Sequence, residues 1–388
     1  MLIEYSVANF ASIHGEQRLA MLEPKTPSSE TRPCALIYGP NASGKTTILQ
    51  SIASMRRIVL ESATRMNLSD PLPVIPFCLD KDAMKEPTRF EITLLLEGTR
   101  YRYGFSATTG HIVSEDLFVN ETRRAQHWIG RRAAHDNGPD SFTFSPALKG
   151  AKDAWKKLTR KGTLFLSTAV SFNSRQLTRV HAWFYKSLDL VLPSESDQTP
   201  DSTWWNTDTH TPRVLAFLQM ADPSIADLIH DDGRFLIRHK NAGSTMLLDV
   251  RSESEGIQRL FRLVPHIIEA LDKGGMLGID ELDRNLHPLI AEAIIGPFLD
   301  KKTNKYGAQL IATLHNTYPI KNKGLDRNLV WFTEKDASQG TRLYPLSDTA
   351  ARNNEVMEKS YFEGRYGAMP QLKTSSQNRE EVRYDTNP

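Results

Sequence analysis

Hydrophobic positions along this chain recur with two periods, and the switches between them delimit its elements. Leu2-Ile3-Glu4-Tyr5-Ser6-Val7 alternates apolar and polar residues, which predicts a half-buried strand. Asn9 to Gly15 reads as a turn and Gln17 to Leu22 as the partner strand, followed by a loop rich in Pro, Ser and Thr from Glu23 to Pro33. Ala35-Leu36-Ile37-Tyr38 is a short apolar run expected as a buried strand. Thr47 to Met55 then carries apolar residues at 48, 49, 52 and 55, which is helical spacing. Asn67 to Lys85, interrupted by prolines, is expected to be irregular apart from short extended pieces. Phe90–Leu96 and Arg100–Phe105 flank Glu97-Gly98-Thr99, a hairpin signal, and Ile112 to Val119 offers a third strand. An antiparallel sheet therefore follows the first helix, in place of a simple β-α-β alternation.

Ala151–Lys161 and Gly162–Trp183 read mostly as helices, and Leu192 to Pro212 as a long loop or lid. Within that loop Trp204-Trp205 is either an interface anchor or, more commonly for such a pair, packed onto the chain's own core. Val214 to Asp232 is expected to be helical with a break at Ala-Asp-Pro, followed by strands Arg234–Lys240 and Ser244–Val250. Glu253-Ser254-Glu255-Gly256 opens an amphipathic helix whose one face carries Ile257, Leu260, Phe261, Val264, Ile267, Ile268 and Leu271, with Pro265 as a potential kink. Gly274 to Glu281 and Gln309 to His315 are apolar strands, and the tail from about Thr374 is polar enough to be expected disordered. Internal repeats, heptad runs and low-complexity blocks are absent.

The strand–loop–helix around residues 35–55 holds Gly39-Pro40-Asn41-Ala42-Ser43-Gly44-Lys45-Thr46, which fits G-x-x-x-x-G-K-[ST] at every required position. Glycines there let successive backbone N–H groups curl around a polyphosphate at a helix N-terminus, where the dipole also favours anions. Lys45 is expected to neutralise the β- and γ-phosphates, Thr46 to bind Mg²⁺, and Thr47 to lie on the same nucleotide. The strand ending in Ile279-Asp280-Glu281 has the Walker B arrangement. Asp280 is expected on Mg²⁺, and Glu281 where a carboxylate polarises the attacking water. Ser254 and Gly256 form a small N–H-rich turn at a helix N-terminus, which is an anion site or simply a helix cap. His315, just beyond its strand, is either a γ-phosphate contact or a surface-loop histidine.

Composition narrows the setting. The 388 residues are 39% hydrophobic and 24% charged, ordinary for a soluble globular chain and long enough for one large domain or a core with an insertion. No apolar run approaches the ~20 residues of a membrane span, and the start lacks the pattern of a signal peptide. Cys34 and Cys78 are too few for a disulfide framework, so a cytoplasmic protein is expected. Net charge of +2 gives no global attraction to nucleic acid. A local patch remains possible between Glu121 and His135, where Arg123, Arg124, Arg131 and Arg132 surround His127 and Trp128. A solvated hairpin edge is the commoner form of such a run.

Phosphate loop, Ser-x-Gly before a helix, Asp-Glu and a post-strand His follow the order of ABC-type ATPases. More closely, the chain resembles stand-alone bacterial ATPases of the OLD/RloA/AbiL kind, a group that includes the ATPase of PARIS-like phage-defence systems. The resemblance rests on residues 3–10, 39–46, 254–259, 279–288 and 313–317, and on the C-terminal Tyr361-Phe362-Glu363-Gly364-Arg365-Tyr366-Gly367-Ala368-Met369-Pro370. It implies an α/β ABC-type head with an antiparallel β subdomain (1–120), an inserted helical or lid region (121–232), a second half of the head (233–370) and a tail (371–388). It also implies two heads sandwiching ATP, with Ser254 and Gly256 of one copy facing Lys45 and Thr46 of the other, and the His287 region crossing the interface. Ala11 stands where relatives usually carry Arg or Lys, and Glu255 where transporter signatures have glycine. The Q-loop metal contact falls to Ser171 or Asn173. OLD proteins add a Toprim nuclease module, for which the roughly 70 residues after His315 leave no room, so nuclease or toxin chemistry is expected in a partner.

These readings predict an ATPase using ATP and Mg²⁺ that dimerises, or forms a higher homo-oligomer, around nucleotide and controls a separately encoded effector in anti-phage defence. Two alternatives stand beside it: a RecF/SMC-like DNA-repair ATPase that binds DNA through the arginine stretch, and a nucleotide-bound scaffold with little turnover. A membrane transporter ATPase does not fit, because the roughly 200 residues between phosphate loop and signature exceed a compact transporter domain.

Overall fold

In the computed structural model, residues 1–22, 31–67, 69–120, 124–134, 138–193, 202–205, 209–231, 233–241, 244–321, 325–349 and 357–369 are described. The strands in chain order are β1 Leu2–Ala8, β2 Gln17–Ala20, β3 Cys34–Tyr38, β4 Thr88–Leu96, β5 Thr99–Ala107, β6 Ile112–Asn120, β7 Gln126–Arg132, β8 Ser141–Phe144, β9 Leu188–Val191, β10 Ile225–Asp231, β11 Arg234–Asn241, β12 Ser244–Asp249, β13 Met276–Ile279, β14 Gln309–Thr313, β15 Val330–Lys335 and β16 Thr341–Pro345. The α-helices are α1 Lys45–Glu61, α2 Lys152–Leu158, α3 Phe165–Ser171, α4 Arg175–Lys186, α5 Ser202–Trp205, α6 His210–Ala221, α7 Glu255–Lys273, α8 Pro288–Leu299, α9 Tyr318–Lys321 and α10 Met357–Phe362.

The central sheet runs β16-β15-β3-β14-β13-β9 and is parallel except at β16. Strands β3, β13 and β14 are buried at every position, as expected where both faces of a parallel sheet are covered. Successive side chains point to opposite faces, and the two faces feed two cores. Ala35, Ile37, Met276 and Ile311 pack with α1, α3, α4 and the seven-stranded antiparallel sheet β2-β1-β4-β5-β6-β7-β8. Leu36, Tyr38, Leu277, Ile279, Leu310 and Ala312 pack with α6, α7 and α8. A separate three-stranded sheet, β10-β11-β12, leads into α7 through a short 3-10 turn at Val250–Ser252.

The expected hairpin is present: Glu97 and Gly98 have φ of 50° and 78°, the two positive values a tight two-residue turn needs, and Leu96 pairs with Thr99. Helix α7 runs through Pro265 without interruption. Trp205 is buried, stacking on Phe261, so that tryptophan packs on the chain's own core, and Trp204 stacks on His210. Most of the expected lid lies outside the described residues, as do Arg123, Pro370 and the tail.

Two expectations are corrected. Residues 225–231, read as helix, are strand β10. A bulge between Ile225 and Asp227 places its buried residues, Ile225 and Leu228, three apart, a spacing that imitates a helix. Residues 121–232 are also not simply helical, because β7 and β8 extend the antiparallel sheet and β9 closes the central one.

Within the arginine stretch, Arg131 does not face solvent. Arg131 is wholly buried, pairing with Asp140 at 2.7 Å and Glu115 at 3.9 Å and donating to the carbonyls of Thr163, Arg160 and Lys161. Glu115, equally buried, accepts the backbone N–H groups of Phe165 at 2.6 Å and Leu166 at 2.9 Å and the hydroxyl of Tyr103. Burial holds its pKa above the ordinary carboxylate value, while Arg131 and these donors pull the other way. Trp128 is interior, and Arg132 pairs with Asp116. The cluster ties β6 and β7 to the start of α3. Removing one member of a buried pair strands the other, so Arg131→Met is expected to destabilise the protein by about 3–5 kcal/mol in urea unfolding; a cost below about 1 kcal/mol would show that the cluster does not join these elements.

Candidate functional site

The phosphate loop joins β3 to α1, at the C-terminal edge of the central sheet. Gly39, Ala42 and Gly44 have φ of 154°, 62° and 107°, which curl the chain. Gly44 is also crowded: a Cβ there would run into the side chain of Thr341, and one on Gly39 into Thr333. Both threonines brace the loop. Thr333 Oγ1 shares a 2.6 Å hydrogen bond with Ser43 Oγ, and Thr341 Oγ1 donates to the Ser43 carbonyl at 2.9 Å. From the first turn, Ser12 Oγ donates to Thr47 Oγ1 at 2.9 Å and lies 2.8 Å from Thr341 Oγ1. Lys45 is buried, with Nζ donating to the carbonyls of Gly39 at 2.7 Å and Pro40 at 3.2 Å. Burial lowers its pKa, opposed by Asp280, Asp283 and Glu281.

Asp280 is where the elements meet. Its Oδ2 accepts the Thr46 hydroxyl at 2.8 Å and its Oδ1 the Thr313 hydroxyl at 2.6 Å, linking α1, β13 and β14. Thr313 Oγ1 also accepts the N–H of Glu281 at 2.7 Å. Glu281 stands at φ 50°, a conformation non-glycine residues rarely adopt, and its carboxylate turns toward His315 Nε2 at 3.7 Å and Arg284 Nη1 at 3.5 Å. Asp283 Oδ2 accepts the N–H groups of His315 and Asn316, which sets the position of the loop after β14. A hydroxyl and a carboxylate oxygen side by side suit Mg²⁺, which keeps waters and phosphate oxygens in its shell.

Ser254 caps α7, accepting the N–H of Ile257, and Asn285 Nδ2 donates to Glu255 Oε2 at 2.9 Å. Arg259 reaches from α7 to the carbonyls of Asp280 and Glu281 at 3.2 and 3.3 Å. His287 caps α8. Ser171 and Asn173 are exposed at the end of α3, and the Ser171 hydroxyl bonds back to the Ser167 carbonyl.

Gly39, Pro40, Asn41, Ser43 and His315 line a cavity of about 1010 Å³, whose far wall is the C-terminal segment, including Tyr361, Phe362 and residues 367–369. That segment is fastened by Glu334, which accepts the Ala368 N–H at 3.1 Å and the Tyr344 hydroxyl at 3.1 Å. Ser254 and Gly256 line a different cavity, of about 440 Å³, with Leu286, His287 and Leu289. The phosphate loop, Asp280, Glu281 and His315 are thus gathered in one protomer, whereas Ser254 and Gly256 lie apart from its loop. Arg259, Asp283 and Thr313 fall inside the motif segments 254–259, 279–288 and 313–317 but with no role assigned by the sequence, and Thr333, Thr341 and Ser12 carry no signal there.

No curated protein matches the chain. Two solved structures resemble it across most of its length: an Smc head bound to the C-terminal winged-helix domain of ScpA, and an Smc head with an extended coiled coil bound to the C-terminal domain of ScpA derived from Pyrococcus furiosus. The first is 12% identical, with a TM-score of 0.45, over 88% of this chain and 96% of that one. The second is 11% identical, with a TM-score of 0.47, over 93% and 98%. The family model described as "AAA domain, putative AbiEii toxin, Type IV TA system" matches residues 34–319, which contain the phosphate loop, the Ser254 turn, Asp280-Glu281 and His315. With its phosphate loop on a parallel sheet and an antiparallel sheet against one face, the chain has the α/β fold of an ABC-type ATPase head. It belongs to this family of AAA domains, described as putative AbiEii toxins of type IV toxin–antitoxin systems.

Proposed function

We propose that the chain hydrolyses ATP at a site completed by a second copy of itself, and that the resulting dimer or higher homo-oligomer controls a separately encoded effector in anti-phage defence in the cytoplasm. The observation that carries the ATPase reading is the Asp280 carboxylate, held between Thr46 of the phosphate-loop helix and Thr313 beside Glu281. Gly39 to Thr47 supply the phosphate cradle, with Lys45 exchanging its loop carbonyls for β- and γ-phosphate oxygens. Thr46 and Asp280 would hold Mg²⁺, which would supply charge neutralisation at the phosphates. Glu281 orients and polarises the attacking water, and His315 faces the same point.

The second copy enters because Ser254 and Gly256 line a cavity separate from the one lined by the phosphate loop of the same chain. The resemblance to stand-alone phage-defence ATPases, together with the toxin–antitoxin description of the family, supports the effector. Burial takes Arg131 and Trp128 out of the patch on which the DNA-repair reading drew, while Arg124 and Arg132 stay exposed.

Three measurements check this. Lys45→Ala is expected to lose nucleotide binding, and Glu281→Gln to keep binding while turnover falls by about a hundredfold or more. Turnover unchanged in both variants would overturn the ATPase reading, and ATP occupancy without turnover in the parent protein would make the chain a scaffold. Light scattering of Glu281→Gln is expected to give dimers with ATP and monomers without it. Thr313→Val leaves Asp280 Oδ1 and the Glu281 N–H unsatisfied; a stability loss of about 1–3 kcal/mol is expected in urea unfolding, largely restored by Thr313→Ser.

A further inference from the structure

The residue before the signature turn is anchored from the sheet β10–β12. Glu253 Oε1 lies 2.8 Å from His239 Nε2, and the Glu253 side chain is only 8% exposed. The other ring nitrogen, Nδ1, lies 2.9 Å from Ser224 Oγ and 3.8 Å from Asp222 Oδ2. From the helix side, Gln258 Nε2 donates to the Glu253 carbonyl at 2.8 Å and the Arg251 carbonyl at 3.2 Å. Glu253 is therefore gripped at its carboxylate by β11 and at its main chain by α7. Ser254 follows immediately, and beyond it Asn285 holds Glu255 while the Asn285 carbonyl leaves no space for a side chain on Gly256.

We propose that His239 is a positioning residue for the signature turn: through Glu253 it fixes the backbone direction with which Ser254 and Gly256 meet the nucleotide held by another copy of the chain. This deepens the reading of a site completed by a second copy and rests on it. A nearly dry carboxylate without its donor is costly, so loss of the imidazole lets Glu253 swing toward water and carries Ser254 with it. Ser224, His239 and Glu253 also stand in the order of a nucleophile relay. The cavity beside them is lined by Asp222, Ser254 and Gly256 but by neither Ser224 nor His239, so the relay opens on no substrate space there. By the same linkage, the sheet β10–β12 becomes the lever on the signature turn. Strand β12 is exposed over Ser244 to Leu247, pairs among the described residues with β11 alone, and reaches Ser254 within five residues.

The test compares three proteins that all carry Glu281→Gln: the parent, His239→Ala and His239→Gln. The glutamine carboxamide nitrogen falls near the place of imidazole Nε2 and restores a donor to Glu253. Dimer dissociation constants are measured at saturating MgATP by sedimentation, and ATP affinity with a fluorescent analogue at concentrations where the chain is monomeric. The alanine variant is expected to weaken the dimer about tenfold or more, the worth of one hydrogen bond to a charged group, with ATP affinity of the monomer within about twofold of the parent. The glutamine variant is expected to recover most of the loss. An alanine variant that dimerises as tightly as the parent overturns the inference. So do equal losses with alanine and glutamine, or a parallel loss of monomer ATP affinity, because a general structural role would then suffice. Failure of the parent to dimerise with ATP is a separate result: it removes the shared-site reading and the inference with it.

Discussion

The carboxylate of Asp280 is the constraint on which the site depends. It is buried at the end of β13, where an unpaired charge is costly, and it is satisfied by two hydroxyls from different elements: Thr46 from the helix after the phosphate loop and Thr313 from the adjoining strand. Because Thr313 also receives the Glu281 N–H, the backbone of the next acid is set by the same interaction. Asp280, the phosphate-loop helix and the backbone of Glu281 are thereby registered against one another. Such preorganisation matters more than the strength of any one bond, since small displacements of reacting groups cost rate steeply.

The phosphate loop is held from the opposite side by residues distant in sequence. Thr333 and Thr341, on the last two strands of the central sheet, press against Gly39 and Gly44 and bond to Ser43, and Ser12 joins the same cluster from the N-terminal turn. The glycines are therefore required twice, once for their positive φ and once for lack of space. This couples the loop to β15, and through Glu334 to the C-terminal segment that walls the adjoining cavity. The phosphate cradle is thus assembled from both ends of the chain.

Much of this was legible in the sequence because it obeys local rules. The phosphate loop, the hairpin at Glu97-Gly98 and the capped helix after Ser254 each carry their own chemistry within a few residues. What was missed depends on partners far away. Arg131 looks like a surface charge until Glu115 and Asp140 are beside it, and nothing near residue 131 announces them. Strand β10 was read as a helix because one bulge shifted its buried positions to a spacing of three. Strand β9 is only four residues long, and β7 puts a buried arginine where an apolar residue is expected.

The division between the two cavities gives the arrangement its logic. Arg259 ties the helix that begins at Ser254 to the carbonyls of Asp280 and Glu281, joining α7 to the end of β13. Yet the N-terminus of that helix, with Ser254 and Gly256, opens away from its own phosphate loop, beside exposed Leu289. A helix end whose N–H groups suit an anion, bonded through Arg259 to the end of β13 yet lining a cavity apart from the phosphate loop, is the observation behind the proposal of a second copy. On the proposed shared site, Arg259 would be a direct side-chain link between the helix that begins at Ser254 and the main chain of Asp280 and Glu281.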